Sequence, residues 1–242
     1  MNYFKYFPVT AYGFGNETLP DLFRNIAVYA DIIDQIKENV SFYNDYYIQE
    51  FERPDQLSYK LYGTPNYHWT FWLMNDKIRE RGWPLTNRAL NKKIEKDYKN
   101  KVITTKTTLT DRFKLNQTAI GNASGATAVI DHRHLNLGQI VLRNTTGTFQ
   151  VGETISSINS DNIVETIIVT SFENEYNSAH HYEDADGNYV DINPAVGPGA
   201  LLTEITYADR YISLNDELKT IRVIKPQNIT EVVNAYREAL RN

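Results

Sequence analysis

Two histidines stand two positions apart in the run Asp131-His132-Arg133-His134, a spacing that could bring both imidazoles to one metal ion. Residues i and i+2 of a strand face the same side, so a strand here would present both rings together. The other histidines of the sequence are His68, His180 and His181. Their spacing fits no familiar zinc pattern. We therefore favour a polar strand end or turn over a metal site.

A second run, Asp184-Ala185-Asp186-Gly187-Asn188 followed by Asp191, superficially suggests a calcium loop. An EF-hand loop needs its glycine at the sixth position and a glutamate at the twelfth, whereas this glycine comes too early. Asp-Gly between alternating segments is instead a strong signal for a two-residue hairpin turn. We predict a β-hairpin over residues 180–192 that turns at Asp186-Gly187.

Signatures of catalysis are absent from the sequence. It contains no GxSxG elbow, P-loop, strand-linked GxGxxG or HExxH, and without cysteine it has no thiolate for metal binding or nucleophilic attack. Its 30 acidic residues supply carboxylate pairs by accident, so such pairs do not indicate an active site. We predict a protein that is not an enzyme, with no catalytic residues, no cofactor and no metal.

The charge and hydropathy of the chain argue against two classes of partner. With 25 Lys and Arg against 30 Asp and Glu, the net charge is -5, which provides no basic footprint for nucleic acid or an anionic membrane. No stretch approaches the roughly 18 consecutive apolar residues that a membrane-spanning helix needs. We expect a soluble, unexported chain with no nucleic-acid and no membrane partner.

The elements that would position functional residues begin with an amphipathic helix predicted over residues 21–36 and capped by Thr18. Its apolar stripe consists of Leu22, Ile26, Tyr29, Ile33 and Ile36. At the other end of the chain, the strand LKTIRVIKP precedes a helix from about Ile229. One face of that helix carries Val232, Val233, Tyr236 and Leu240. Such stripes must be buried on another element or another chain.

An aromatic segment, RPDQLSYKLYGTPNYHWTFWLMND, occupies residues 53–76. We predict a strand over residues 41–51, a first helix from Pro54 to a stop at Gly63, and a second helix opened by Pro65. Outward-facing rings could stack on sugars, but we favour an inward orientation because a small module needs large side chains to form a core. The predicted module core is Tyr47, Leu57, Leu61, Tyr62, Trp69, Trp72 and Leu73.

Beyond a helix predicted over residues 86–98, the sequence changes to short runs rich in Thr, Asn, Gly, Val and Ile. They predict an inserted small β-barrel or sandwich domain over residues 102–173. FKLNQTA from Phe113 weakly resembles FQVGETI from Phe149, and each could open one hairpin. The predicted organisation is α+β: an N-terminal segment and amphipathic helix (1–40), a strand-helix-helix module with its following helix (41–101), the insertion (102–173), and a hairpin, strand and helix (174–242).

The segment YYIQEFERPDQLSYKLYGTPNYHWTFWLMND resembles the LysM-like module of a baseplate wedge protein family from T-even-type contractile-tailed bacteriophages. The shared features are a strand, an Arg-Pro-acidic helix start, a Tyr-Gly stop, a proline, a tryptophan-containing second helix and a closing Asn-Asp. PDLFRNIAVYAD and LNDELKTIRVIKPQNITEVVNAYREALRN resemble the leading and closing segments of the same family. The resemblance covers about residues 1–100 and 175–242, while the β-rich part has no counterpart in the shorter members. A peptidoglycan-binding LysM module would return promptly with its second strand, but here a helix follows.

The resemblance implies a structural component of a virion tail baseplate, assembled in the host cytoplasm, that clamps the wedge core and links neighbouring wedges. Its implied partners are other wedge proteins, the sheath-initiating subunit, and neighbouring copies or wedges around a six-fold axis. Partner contacts are predicted at Leu22, Ile26, Tyr29, Ile33, Val233, Tyr236 and Leu240. Two alternatives stay open: a peptidoglycan-binding LysM module of a tail or cell-wall protein, and a tail-associated hydrolase with its carboxylates in the insertion.

Overall fold

The computed structural model describes residues 7–13, 15, 19–25 and 32–240. The predicted α+β class is confirmed, with helices and several separate sheets. The chain divides into two compact units: unit 1 is Met1–Thr86 together with Asn215–Asn242, and unit 2 is Asn87–Leu214.

The strands of the described residues are, in chain order, β1 (Val9–Tyr12), β2 (Asp21–Arg24), β3 (Tyr43–Tyr47), β4 (Lys101–Thr104), β5 (Thr118–Gly121), β6 (Thr127–His134), β7 (Gln139–Thr146), β8 (Thr154–Ile158), β9 (Val164–Ile168), β10 (Ser171–Asn174), β11 (Ala179–Glu183), β12 (Tyr189–Val190), β13 (Thr203–Thr206) and β14 (Thr220–Ile224). The α-helices are α1 (Ile32–Glu38), α2 (Pro54–Tyr62), α3 (Thr70–Met74), α4 (Asp76–Arg81), α5 (Asn87–Asp97), α6 (Tyr207–Glu217) and α7 (Ile229–Ala239).

Two strands far apart in sequence form a sheet in unit 1. β3 pairs antiparallel with β14, in a register that places Asp45 opposite Arg222. Ile221 and Val223 of β14 are buried, as the apolar alternation of TIRVI requires. Because α2, α3 and α4 follow β3, unit 1 contains the order strand, three helices, strand, and its last strand comes from the distant end of the chain.

The helices between these strands begin and end at the punctuating residues of the sequence. α2 starts at Pro54 and ends before Gly63, whose φ of 70° is the left-handed conformation that glycine adopts without steric cost. Pro65 opens a 3-10 turn, Pro65–Tyr67, and α3 begins only after it. A short helix not predicted from the sequence, α4, follows α3 directly and ends at Gly82.

The helix predicted over residues 21–36 is wrong in its first part. Asp21–Arg24 form β2 instead, which pairs antiparallel with β1 and places Leu22 opposite Ala11. In the hairpin, the backbone N–H and C=O groups of this segment are hydrogen-bonded to β1. The periodicity of one segment contains no information about pairing with another strand. Among the described residues the helix is present only later, as α1.

The core of unit 1 is aromatic and consists of two clusters that share Tyr62. In the first cluster Trp69 packs against Tyr236 of α7, with ring centroids 5.5 Å apart. In the second cluster Phe71 stacks on Tyr62 at 6.1 Å. Phe71 and Leu57 are completely buried, so these rings form the interior that a small module needs.

Unit 2 is built on an open seven-stranded sheet with the order β10-β4-β7-β6-β5-β8-β9. Of the two predicted forms, barrel or sandwich, the barrel is wrong, because no ladder joins the edge strands β9 and β10 among the described residues. Only Val169 and Thr170 separate these two strands along the chain, a span of about 10 Å at most. A flat sheet of this order would hold its edges about 29 Å apart, so the sheet must curl strongly without closing.

The two echoed segments have similar positions in the sheet. FKLNQTA leads into the β5–β6 hairpin and FQVGETI leads into the β8–β9 hairpin. Asn116 and Gly152, which occupy the same position of the echo, both have positive φ, 67° and 86°. β5 pairs antiparallel with β8, and Ile120 lies opposite Ser156, the residue thirty-six positions later. The prediction that each segment opens one hairpin is confirmed by these elements.

A second sheet in unit 2 has β11 between β12 and β13. The β11–β12 hairpin differs from the predicted two-residue turn, because its connection spans residues 184–188. The Asp184 carboxylate stabilises this longer loop by accepting the backbone N–H groups of Asp186 and Asn188, both at 2.9 Å. These contacts lower the pKa of Asp184, with the Asn188 N–H the largest contribution. The carboxylate thus serves its own turn.

Candidate functional site

Most of the predicted module-core residues lie inside unit 1. Leu57 and Trp69 are buried, and the half-buried members packed against the two clusters are Leu61, Tyr62, Trp72 and Leu73. Tyr47 is the correction, since it is 54% exposed while its neighbour Tyr46 packs against the core. Consecutive strand residues point to opposite faces, and only the tertiary structure decides which tyrosine faces inward.

Tyr62 connects α2 to β14. Its hydroxyl donates to the carbonyl oxygen of Ile224 at 2.9 Å, and burial raises the pKa of the phenol well above its ordinary value. Phe71 stacks on the ring and Tyr67 meets it edge-on at 6.0 Å. Phe71 thus covers one face of the ring and the hydroxyl is bonded to the backbone, so the sugar-stacking role considered for Tyr62 is not favoured.

Asn75, the asparagine of the closing Asn-Asp pair, makes connecting contacts that were not predicted from the sequence. Its side-chain amide donates to the carbonyl oxygen of Arg222 at 2.8 Å and accepts the N–H of the same residue at 2.7 Å. It also donates to the carbonyl oxygen of Phe71 at 2.8 Å. The amide therefore pairs with β14 as a further strand would, and it fastens the end of α3 to that strand.

The helical stripes predicted to contact partners are placed very differently. Val233, Tyr236 and Leu240 are 1%, 3% and 2% exposed and lie within the first core cluster of unit 1, so their burial is completed inside the chain. Leu22 lies on β2 and is 73% exposed. Ile26 and Tyr29 fall outside the described residues, and Ile33 is described only as part of the α1 backbone.

The β1–β2 hairpin of unit 1 presents apolar side chains to the surface. Besides Leu22, the large exposed residues there include Val9 and Leu19. All four positions of each strand are exposed, so none of the described residues covers either face of this two-stranded ribbon. A two-stranded ribbon is marginally stable alone, and a partner surface would supply the missing burial. We name these residues the hairpin surface.

A second exposed apolar group in unit 1 lies in the connection between β3 and α2. Phe51 is 72% exposed and has φ of 65°, a left-handed conformation that is a genuine outlier for a bulky residue. It lines a cavity of about 280 Å³ together with Ile48, Trp83 and Leu85. We name Phe51 and this cavity the loop surface. Strain retained at an exposed aromatic residue favours a binding role for it.

Glu52 fixes the connection that carries Phe51. Its carboxylate accepts the hydroxyl of Tyr46 at 2.9 Å and the ammonium of Lys60 at 3.2 Å. Its carbonyl oxygen accepts the indole N–H of Trp83 at 2.9 Å. These contacts over-determine the loop, which explains how a strained conformation next to Glu52 can persist.

Unit 2 has an uncharged groove on the outer side of its main sheet. The groove encloses about 640 Å³, and the apolar residues that line it are Leu115, Ile120, Ile158 and Val164. None of the lining residues, all of which lie within the described part of the chain, carries a charge. The groove belongs to the insertion and is a third candidate surface, after the hairpin surface and the loop surface of unit 1.

The histidines of the first motif lie at the end of β6. The His132 and His134 rings meet edge-on with centroids 5.0 Å apart, and Nδ1 of His132 lies 2.9 Å from the Asp131 carboxylate. Burial lowers the pKa of His134, and His132 lowers it further. Within residues 7–13, 15, 19–25 and 32–240, no group of three or more His, Asp and Glu side chains could hold a metal ion.

The buried carboxylates of unit 2 accept hydrogen bonds from backbone N–H groups. Glu153 accepts the N–H groups of Gln150 and Ser124 at 2.6 and 3.0 Å, and these donors outweigh the effect of burial and lower its pKa. Glu165 accepts the N–H of Phe113 at 2.7 Å, and Glu175 accepts an N–H from the start of unit 2. Each therefore holds a turn or strand end in place, which gives no support to a hydrolase built on these carboxylates.

Unit 1 thus combines an aromatic core with exposed apolar side chains, and exposed apolar surfaces are typical of proteins that assemble with others. A protein-family model described as base plate wedge protein 53 matches residues 10–109. Over these residues the match supports the predicted likeness to a phage baseplate wedge protein, and it indicates a structural protein that assembles with other baseplate proteins in the virion tail. No curated protein matches the chain. Among the described residues, no helix is both long and apolar enough to cross a membrane.

Proposed function

We propose that this wedge protein clamps the core of the wedge and links neighbouring wedges while the baseplate assembles in the host cytoplasm. The observation that carries the proposal is the family match over residues 10–109, which includes Leu22 of the hairpin surface and Phe51 of the loop surface. The proposed partners are other wedge proteins, the sheath-initiating subunit, and neighbouring copies around a six-fold axis. The structural role of the family also favours a protein without enzymatic activity.

The contacts are proposed at the hairpin surface and the loop surface. Leu22 and Phe51 are large apolar side chains exposed on short, ordered elements, and burial of each would contribute about 1.5–3 kcal/mol to an interface. Ile26, Tyr29 and Ile33 stay predicted partner contacts on the basis of the sequence alone. Aromatic and aliphatic anchors of this kind dominate the energy of protein interfaces, whereas the surrounding polar contacts mainly exclude water.

We also propose that unit 1 is a LysM-like module interrupted by unit 2. Support comes from the order β3-α2-α3 followed by β14, in which the two strands are antiparallel neighbours. The returning strand is then present, but an inserted domain delays it. The enclosed position of Tyr62 favours assembly over sugar binding for this module.

The test is reconstitution with the purified wedge proteins of the same phage, followed by native mass spectrometry. The full chain is expected to enter a wedge complex of defined stoichiometry. Leu22→Lys and Phe51→Ser are each expected to weaken this entry by roughly tenfold or more, because each removes an apolar anchor. Leu135→Lys, at a residue of unit 2 with 47% exposure, is the matched control and should assemble normally.

Circular dichroism must show that all variants are folded. Failure of the wild-type chain to join any wedge complex would sink the proposed function. Normal assembly of both unit 1 variants would retain the function but place the contacts elsewhere.

A further inference from the structure

Four of the five histidines lie in unit 2, and two of them form a continuous chain of contacts across β11. Nη1 of Arg210, on the first turns of α6, lies 3.0 Å from Nε2 of His180. Nδ1 of His180 lies 2.8 Å from Nδ1 of His181, and Nε2 of His181 lies 2.8 Å from the Glu183 carboxylate. The chain therefore begins with a permanent donor and ends with a permanent acceptor.

Only one arrangement of protons satisfies every contact in this chain. Arginine can only donate, so Nε2 of His180 must accept, and a neutral ring then carries its proton on Nδ1. That proton is donated to Nδ1 of His181, so His181 carries its own proton on Nε2 and donates it to Glu183. Both histidines are neutral, and both of their accepting nitrogens are occupied.

We propose that Arg210, His180, His181 and Glu183 form a proton-sensitive clasp that holds the first turns of α6 against β11 and opens when the His180 ring takes up a second proton. A proton on Nε2 of His180 would set two N–H groups and two positive charges against each other at 3.0 Å. This event removes one hydrogen bond and adds repulsion in a partly desolvated place.

The surroundings of the clasp favour the neutral state. The groups that face the two rings are Arg210 and Tyr207 from α6, His134 from β6, Tyr189 from β12 and Glu183 from β11 itself. β13 contributes the uncharged Ile205 opposite His181, while Glu173 and Glu204 act on Tyr182 between the two sheets. Glu183 is the carboxylate that faces the rings, and it already accepts a hydrogen bond from the Nε2–H of His181.

The direction of the pH effect follows from burial and neighbouring charge. Burial lowers the pKa of His180, and Arg210, His181 and His134 lower it further. Burial also lowers the pKa of His134, which contacts the Tyr207 hydroxyl at 3.2 Å. A base with a depressed pKa in the folded state stabilises the fold above its unfolded pKa of about 6.5. That contribution is progressively lost as the pH falls below this value.

The experiment compares the full chain at about pH 7.5 and about pH 5, on either side of the histidine range. Nitrogen-15 NMR of the imidazoles should find His180 protonated on Nδ1 and His181 on Nε2 at the higher pH. Hydrogen exchange, corrected for its intrinsic pH dependence, should show protection of β11 and the start of α6 falling on the order of tenfold at the lower pH.

The matched variant is the double substitution His180→Gln and His181→Gln, because glutamine can accept and donate at the same places but does not titrate in this range. Its protection should be independent of pH, whereas His68→Gln in unit 1 should behave as the wild type does. The proposal is overturned by the opposite tautomers, by equal protection at both pH values, or by an unchanged pH response in the double variant. If the double variant does not fold, the tautomers and exchange of the wild-type chain still decide.

Discussion

The two units of this protein bury their cores by different means. Unit 1 gathers rings from short helices and from both ends of the chain, as in the Trp69–Tyr236 and Tyr62–Phe71 pairs. Unit 2 is one continuous segment whose main core is largely aliphatic, with Ile130, Ile140 and Leu142 from adjacent strands. A core built from local hairpins can be filled by β-branched and aliphatic residues, whereas a small core of short helices needs wide side chains to reach a distant strand.

The difference has a consequence for assembly. Unit 1 depends on β14 and α7, which follow the whole of unit 2 in the chain, so its contacts are of long range in sequence. Contacts of high sequence separation form slowly because loop closure must precede them. The family match lies mostly in unit 1, so the more slowly completed unit is the one with the proposed assembly surfaces.

The largest test of the comparison is a core truncation in each unit. Phe71→Ala should destabilise unit 1 by about 4 kcal/mol, because it removes a completely buried ring that both stacks and packs. Calorimetry should show an earlier transition for unit 1 with little change in that of unit 2. Leu142→Ala, at a completely buried residue of unit 2, should do the converse at a cost of about 3 kcal/mol. A single transition that shifts equally in both variants would contradict the independence of the units.

A smaller effect is expected where one hydrogen bond joins the distant parts of unit 1. Tyr62→Phe keeps the ring stack but leaves the Ile224 carbonyl oxygen without its side-chain donor, at a cost of about 1–2 kcal/mol. Urea denaturation measures this change in the free energy of unfolding. Tyr47→Phe is the control at an exposed tyrosine and should change stability by less than about 0.5 kcal/mol. Equal losses in both variants would argue that the buried hydroxyl has no special part.

Substitution of Gly63 tests how much the left-handed backbone conformation at the end of α2 contributes to stability, without a steric clash. A Cβ at this position would meet nothing within 4 Å, so Gly63→Ala should cost about 1 kcal/mol through the left-handed φ of 70° and not through a clash. Gly63→Asn should cost less, because asparagine tolerates this conformation better. Thermal unfolding of the three proteins gives the ranking, and an alanine variant as stable as the wild type would mean that the end of α2 relaxes to a different turn.

The smallest effect is predicted for removal of the whole of unit 2. Leu85 and Asn215 of unit 1 flank unit 2 along the chain, and each donates one hydrogen bond to the other, at 2.7 and 3.0 Å. A short glycine-serine linker in place of residues 87–214 should therefore close without strain and change the stability of unit 1 by about 1 kcal/mol or less. Calorimetry of the shortened chain checks this, and an unfolded product would show that unit 1 needs unit 2.

Local sequence signals predict an element correctly where a single segment determines its own secondary structure. Pro54 and Gly63 bound α2 as predicted, since capping and backbone restrictions act within a turn. Helix α6 was missed although its signal is present, because Thr206 and Asp209 exchange side-chain and backbone hydrogen bonds at 3.0 Å in a capping arrangement. A search for threonine followed three positions later by an acidic residue would have found this helix.

The wrong predictions concern elements whose pairing or burial depends on a second segment of the chain. The stripe that begins at Leu22 has helical spacing, but β2 pairs with β1 and the pairing prevails. Tyr46 and Tyr47 are equivalent in composition, and only the partner surface of β3 determines which one packs inward. The chain of histidine contacts could not be predicted either, because His180 contacts Arg210, which lies on a different element.

The sequence by itself determined the α+β class, the limits of α2, the density of aromatic residues and the likeness to baseplate wedge proteins, because composition, turn chemistry and motif order are properties of contiguous residues. The tertiary structure alone decided that β14 returns to β3, that Tyr236 is core while Leu22 is surface, and that the sheet of unit 2 curls without closing. Strand pairing and burial join residues that are distant along the chain, and their free energy depends on geometry that no single segment contains.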